Sequence, residues 1–265
     1  MSIYGAVIIA TYNRANELKQ CIEHMEKSTV FPKRIIIIDA SSEKVEFSYH
    51  GKLNIDYHHV TQTGLTVQRN IGIDMLEPQT EIVTFLDDDM YVDAHYFENL
   101  YVAFQENEEM IGAEGALRID GGRRLEIPKC NLPLKTLYGC NMSFRYSAIA
   151  HERFDENLKL YAFKEDWDFS YRLACKGKYL KLYKCTGEHE ISPKRAVNDE
   201  KMGYMWVAND CYIKRKNRIF SVACIFYYLA YMARHLLCFW KTSSRKRLKG
   251  ALRAFWKVVI LSGKP

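Results

Sequence analysis

Residues 4–10 are apolar almost without a break and give way to a polar turn at 11–14, after which Ala15, Leu18, Ile22 and Met25 recur at helical spacing. The pattern predicts a strand, a turn in which Asn13 caps, and a helix. Residues 35–38 are four isoleucines in succession, without the alternation of a half-buried strand, and predict a strand covered on both faces, as in a parallel sheet. A third strand over 54–60, a helix over 65–76 and a fourth strand over 81–86 continue the alternation. The first half therefore predicts a nucleotide-binding type of α/β unit. Beyond it the pattern is less regular, with strands predicted near 111–118, 137–144 and 178–185 and a helix over 165–177.

Polar side chains stand where the predicted strands end: Thr11 and Asn13, then Asp39 and Ser42, then Asp87, Asp88 and Asp89. In open α/β sheets that edge is where ligands bind. Three adjacent carboxylates closing a buried strand are electrostatically costly unless a cation joins them, and hard oxygen ligands suit Mg²⁺ or Mn²⁺. A solvated acidic turn would explain the triplet taken alone.

Six stretches change that balance. "VIIATYNR", "IIIIDASS", "GLTVQRNIGI", "TFLDDDM", "GCNMSFRYSAI" and "KEDWDFSYRLACKG" resemble, in order and spacing, the motifs of family-2 inverting glycosyltransferases of the GT-A fold, over about residues 3–192. The resemblance implies a mixed, mainly parallel sheet flanked by helices. It implies a nucleotide-sugar donor, commonly of uracil, with Asp87 facing the ribose, Asp88 as the variable middle residue and Asp89 on a divalent metal, Mn²⁺ or Mg²⁺. Asp39 would accept from the base, and Thr11 and Arg14 would hold the nucleotide. Arg69 would face the donor diphosphate. Asp166 would be the general base and Glu165 an acceptor contact, and His189 falls where many relatives supply a metal ligand. By residue type alone, Arg14 also fits a helix-start surface charge, Arg69 an interior salt bridge, and His189 a structural role.

Composition adds an asymmetry. Residues 211–265 hold 13 Lys and Arg and no Asp or Glu, within a chain of 265 residues and net charge +6. A mildly acidic body, 1–210, thus precedes a basic region, 211–265. Residues 219–240 are apolar but broken by Arg234 and His235, which suits an interfacial helix better than a membrane span. Leu248, Leu252, Phe255 and Val259 predict one stripe of a further helix, with Lys246, Lys249, Arg253 and Lys257 on its other side. The expected partner is an anionic membrane surface, and the high apolar content argues against nucleic acid. Packing of these helices on the catalytic body is the competing reading. If the region serves only attachment, deleting 243–265 should leave transfer to a short soluble acceptor intact.

Eight cysteines lack CxxC or zinc-type spacing, and a strand signal starts almost at the N-terminus, which predicts free thiols and a cytoplasmic enzyme, peripheral on the inner face of the membrane. The expected function is transfer of a sugar from a nucleotide diphosphate, as in UDP-sugars, to a saccharide acceptor on a lipid carrier, in bacterial surface polysaccharide synthesis. A sugar-nucleotide pyrophosphorylase would want a glycine-rich loop where "IIATYNRAN" has none. A dehydrogenase would want GxGxxG. A non-catalytic, membrane-attached binding module would have no use for Asp166.

Overall fold

The computed structural model describes residues 3–43, 48–159, 161–190, 198–261 and 263. In its first half β1 (Gly5–Thr11), α1 (Ala15–Met25), β2 (Arg34–Asp39), β3 (Ile55–His59), α2 (Leu65–Asp74) and β4 (Ile82–Asp87) alternate as the hydrophobic pattern predicts. Next come β5 (Met90–Val92), α3 (Tyr96–Glu106), β6 (Met110–Asp120), the short β7 (Arg123–Arg124) and β8 (Leu132–Leu134), β9 (Asn141–Arg145) and α4 (Tyr146–Ile149). The remaining elements are α5 (Glu165–Leu173), β10 (Lys178–His189), α6 (Asp199–Lys216), α7 (Val222–Leu237) and α8 (Thr242–Ala254), which runs on into a π-helical turn, Phe255–Ile260.

A single mixed sheet has the order β3-β2-β1-β4-β9-β6-β10-β5, with β7 beside β6 and β8 beside β10. Strands β1 to β4 are mutually parallel, and β9 enters antiparallel between β4 and β6. The four isoleucines of β2 are fully buried because both faces are covered. Ile35 and Ile37 pack with Leu18, Ile22 and Met25 of α1, while Ile36 and Ile38 pack with Ile73, Phe85 and Phe169. Register fixes the functional edge: Thr11 pairs with Asp39 and Ala10 with Asp87, so the C-terminal ends of β2, β1 and β4 lie side by side.

Local details differ from the sequence pattern. Asn13 does not cap α1: it sits at φ 56°, and its Oδ1 accepts from the Ser42 amide at 3.0 Å, tying two loops of the edge together. The strand expected from 137 starts only at Asn141, and α5 gives way to a 3₁₀ turn after Leu173.

The largest difference lies in the C-terminal third. Helix α6 runs unbroken through residues 210 and 211, so a division there falls inside a helix. Its neighbour α8 crosses it closely at two glycines. A Cβ on Gly203 would lie 2.1 Å from the Arg247 carbonyl oxygen, and one on Gly250 1.9 Å from that of Glu200, so only hydrogen fits at the crossing. Leu248, Ala251, Ala254, Val258 and Val259 are buried with Val207, Ala208 and Cys211 of α6 and Tyr228 of α7. Leu252, placed on the buried stripe by spacing, is 53% exposed, because the inner face is drawn toward the glycine crossing. Among the described residues no helix is long and apolar enough to cross a membrane.

Candidate active site

The acidic triplet divides at the turn from β4 into β5. Strand β5 pairs antiparallel with the end of β10, Met90 opposite His189, which brings the imidazole to the carboxylates. Asp87, Asp89 and His189 offer ligand atoms that all lie within 4.8 Å of one another. His189 Nε2 is 3.3 Å from Asp89 Oδ1, and its Nδ1 is 2.7 Å from Asp120 Oδ1, a carboxylate that fixes the ring and keeps Nε2 aimed at the cluster. Burial alone would lower the His189 pKa, but the Asp89 hydrogen bond and the Asp87 and Asp89 charges outweigh it and raise it to about 9. Two carboxylates and one imidazole form a donor set that fits a divalent cation.

Asp88 is buried and turned toward β1. It accepts from Thr11 Oγ1 at 2.7 Å and pairs with Arg14 Nη1 at 2.8 Å, while Arg14 Nη2 reaches Asp89. Burial raises the Asp88 carboxyl to about 8, with Arg14 opposing. Thr11 and Arg14 therefore hold the triplet's geometry in this structure. Asp39, at the end of β2, accepts from the Ser41 amide at 2.8 Å and from the Tyr57 hydroxyl at 2.6 Å. A 520 Å³ cleft opens beside Thr11 and Asp39, bounded by Lys19, Tyr49, His50 and Tyr57.

Arg69 of α2 joins the two halves of the site. Its buried guanidinium donates to Asp87 Oδ1 at 3.0 Å, Glu165 Oε1 at 2.8 Å and the Gly139 carbonyl at 2.9 Å. Glu165 and Gly139 are buried while Asp87 is partly exposed, so Arg69 and Glu165 meet in the interior and Asp87 stands at its edge. Burial and the Asp166 charge raise the Glu165 carboxyl to about 8, against the pull of Arg69. Asp166, next along α5, is partly exposed and accepts from the Gly139 amide at 2.9 Å and the Trp167 amide at 2.7 Å. Its pKa is raised by burial, with those two amides opposing.

The segment leading to Asp166 is strained, with Ala162 at φ 51° and Lys164 at φ 73°. Helix α6 holds it. Lys164 pairs with Asp210, which also pairs with Lys214 at 2.8 Å and accepts from the Tyr228 hydroxyl of α7 at 2.7 Å. Asn209 donates to the Phe163 carbonyl at 2.9 Å, and buried Asp168 pairs with Lys216 at 2.7 Å. Sequence reading left Asp120, Gly139, Lys164 and Asp210 without roles. Gly139 and Lys164 each open one of the quoted motifs, whereas Asp120 and Asp210 stand in no motif.

Parallel strand ends that bring an Asp-x-Asp pair and a histidine opposite a second carboxylate helix give this chain a fold and a candidate site of the GT-A type. The chain belongs to glycosyl transferase family 2, whose sequence profile matches residues 6–157. Comparison with curated proteins by sequence gives no match. Among solved structures it is similar to S. aureus TarS residues 1–349 in complex with UDP-GlcNAc, at 17% identity and TM-score 0.62 over 80% of this chain and 66% of that one. It is also similar to GalNAc-T7 with UDP, GalNAc and Mn²⁺, at 14% identity and TM-score 0.59 over 79% of this chain and 50% of that one. The chain thus spans just under two thirds of the TarS fragment and half of GalNAc-T7.

Proposed function

We propose that this protein transfers a sugar from a UDP-sugar to a lipid-linked saccharide acceptor, with inversion, at the cytoplasmic face of a membrane. The observation that carries the reading is the Arg69 bridge, which sets the donor-side Asp87 beside the acceptor-side Glu165 and Asp166. The nucleoside enters the cleft at Asp39 and Tyr57, and the diphosphate lies toward Asp87 and Asp89. Asp166, held by the Gly139 and Trp167 amides, takes the proton of the acceptor hydroxyl as its oxygen attacks the anomeric carbon and the nucleoside diphosphate departs from the opposite side. A divalent ion held by Asp87, Asp89 and His189 would neutralise charge on that leaving group. TarS and GalNAc-T7, with UDP-GlcNAc and with UDP and Mn²⁺ in their structures, support the choice of UDP and metal.

The membrane part rests on α7 and the segment after it, where Phe226, Leu237 and Trp240 are 66%, 72% and 74% exposed beside Arg234, Lys241 and Arg245. Apolar side chains that enter the interface, flanked by cations, suit an anionic leaflet. Two substitutions test the chemistry. Asp89→Asn should abolish the extra thermal stabilisation that Mn²⁺ gives with UDP, and Asp166→Asn should lower kcat by about a hundredfold or more while UDP affinity stays near normal. Parent-like turnover in Asp166→Asn would move the base elsewhere.

A further inference from the structure

A second cleft, of 940 Å³, lies between α6 and α8 and shares no residue with the carboxylate edge. Four cations line it: Lys159 from the loop before α5, Lys201 from α6, and Arg253 and Lys257 from α8 and its π-helical extension. One carboxylate, Glu200, faces them, so the excess is 4 − 1 = +3. Glu200 is engaged by Arg253 at 2.9 Å and by Lys249 at 3.1 Å. Among the described residues Lys159, Lys201 and Lys257 have no carboxylate partner. A solvated basic stripe would run along one helix, whereas these side chains converge on one hollow from separate elements.

The cleft is also amphipathic. Leu252 and Trp256 line it and are 53% and 64% exposed, and the exposed Ile260 and Leu261 continue from them along the chain. At its inner end Asn209 both lines the cleft and holds the Phe163 carbonyl, in the strained segment that presents Asp166.

We propose that this cleft binds the phosphate of the acceptor: a saccharide joined through a phosphate or diphosphate ester to a long apolar chain. The anion meets Lys159, Lys201 and Lys257, the apolar chain follows Leu252 and Trp256, and the saccharide extends past Asn209 toward the base. The assignment rests on the transferase reading and adds to it the chemical class of the acceptor's carrier.

The test is calorimetric, with dodecyl diphosphate below its micelle concentration, full-length protein, EDTA and no donor. The parent should bind it saturably, and Lys201→Gln/Lys257→Gln should weaken binding about tenfold or more, while n-dodecyl maltoside, with the chain but no phosphate, should give no comparable signal. The double variant should sediment with anionic vesicles as the parent does, because the exposed face of α7 is unchanged. Equal affinity in parent and variant, or equal binding of the maltoside, overturns the proposal. So does a variant that loses vesicles while keeping dodecyl diphosphate, since the lysines would then serve bilayer headgroups. Failure of the transferase mechanism would appear separately, as unchanged turnover in Asp166→Asn, and would leave this calorimetry readable.

Discussion

Asp166 depends for its aim on a residue without a side chain. Its carboxylate accepts from the Gly139 amide, and a Cβ on Gly139 would stand 3.2 Å from Asp166 Oδ2, so either the base or the loop would have to give by a few tenths of an ångström. Gly139→Ala is therefore expected to lower kcat about tenfold with little change in UDP affinity, as separate kinetic and binding titrations would show. A wild-type kcat would mean that the amide does not set the base. Because burial raises the Asp166 pKa, and the ionised form is the proposed base, kcat should fall as pH drops through that raised value. Asp166→Asn should remove that acid limb from its residual rate. The acidic triplet was legible because three adjacent carboxylates are conspicuous in any sequence. The pairing of Arg69 with Glu165 was not, since the partners stand 96 residues apart and meet only through the fold. Asp120 was hidden for a similar reason, as one acid at a strand end with no motif around it.

The strands and helices of the first half could be read because each buries one clean surface: β2 is isoleucine on both faces, and α1 repeats Leu18, Ile22 and Met25. Helix α6 could not, because it is enclosed by α5's loop, α7 and α8 and buries Asn209 and Asp210 among its apolar residues, which erases the helical period. Those polar residues hold Lys164 and the Phe163 carbonyl, just before the helix that carries the proposed base. Asp210→Ala would leave Lys164 and Lys214 without their common carboxylate and is expected to cost roughly 3 kcal/mol of stability. Asp210→Asn, which can still hydrogen-bond Tyr228, should cost less and yet lower kcat if the Lys164 pair aims Asp166; a change in Tm without a change in kcat would make the pair purely structural. At the crossing of α6 and α8, Gly250→Val would drive a side chain into the Glu200 carbonyl and should destabilise by about 3 kcal/mol, read as a fall in Tm.

For the molecule as a whole, the basic region is part of the packed fold, with α8 residues buried against α6 and α7. Helix α8 covers α6, and α6 holds the first turn of α5 and the segment before it, so deleting 243–265 would uncover the helix that holds the segment presenting Asp166. Transfer to a short soluble acceptor should fall with the deletion, contrary to what the sequence suggested. Membrane affinity is better tested by Phe226→Ser/Leu237→Ser/Trp240→Ser. These exposed sites should tolerate polar residues, and the triple variant should keep soluble transfer while losing most of its recovery on anionic vesicles at low salt. Undiminished recovery would show that α7 does not enter the interface. The glycine crossing also sets a schedule during synthesis. On the ribosome the sheet and α5 emerge first, α6 later and α8 later still, so the ion pairs at α5 and the covering of α6 are among the last contacts to form. A nascent chain therefore acquires the held position of Asp166 and the packed C-terminal helices together, and a half-made chain has neither.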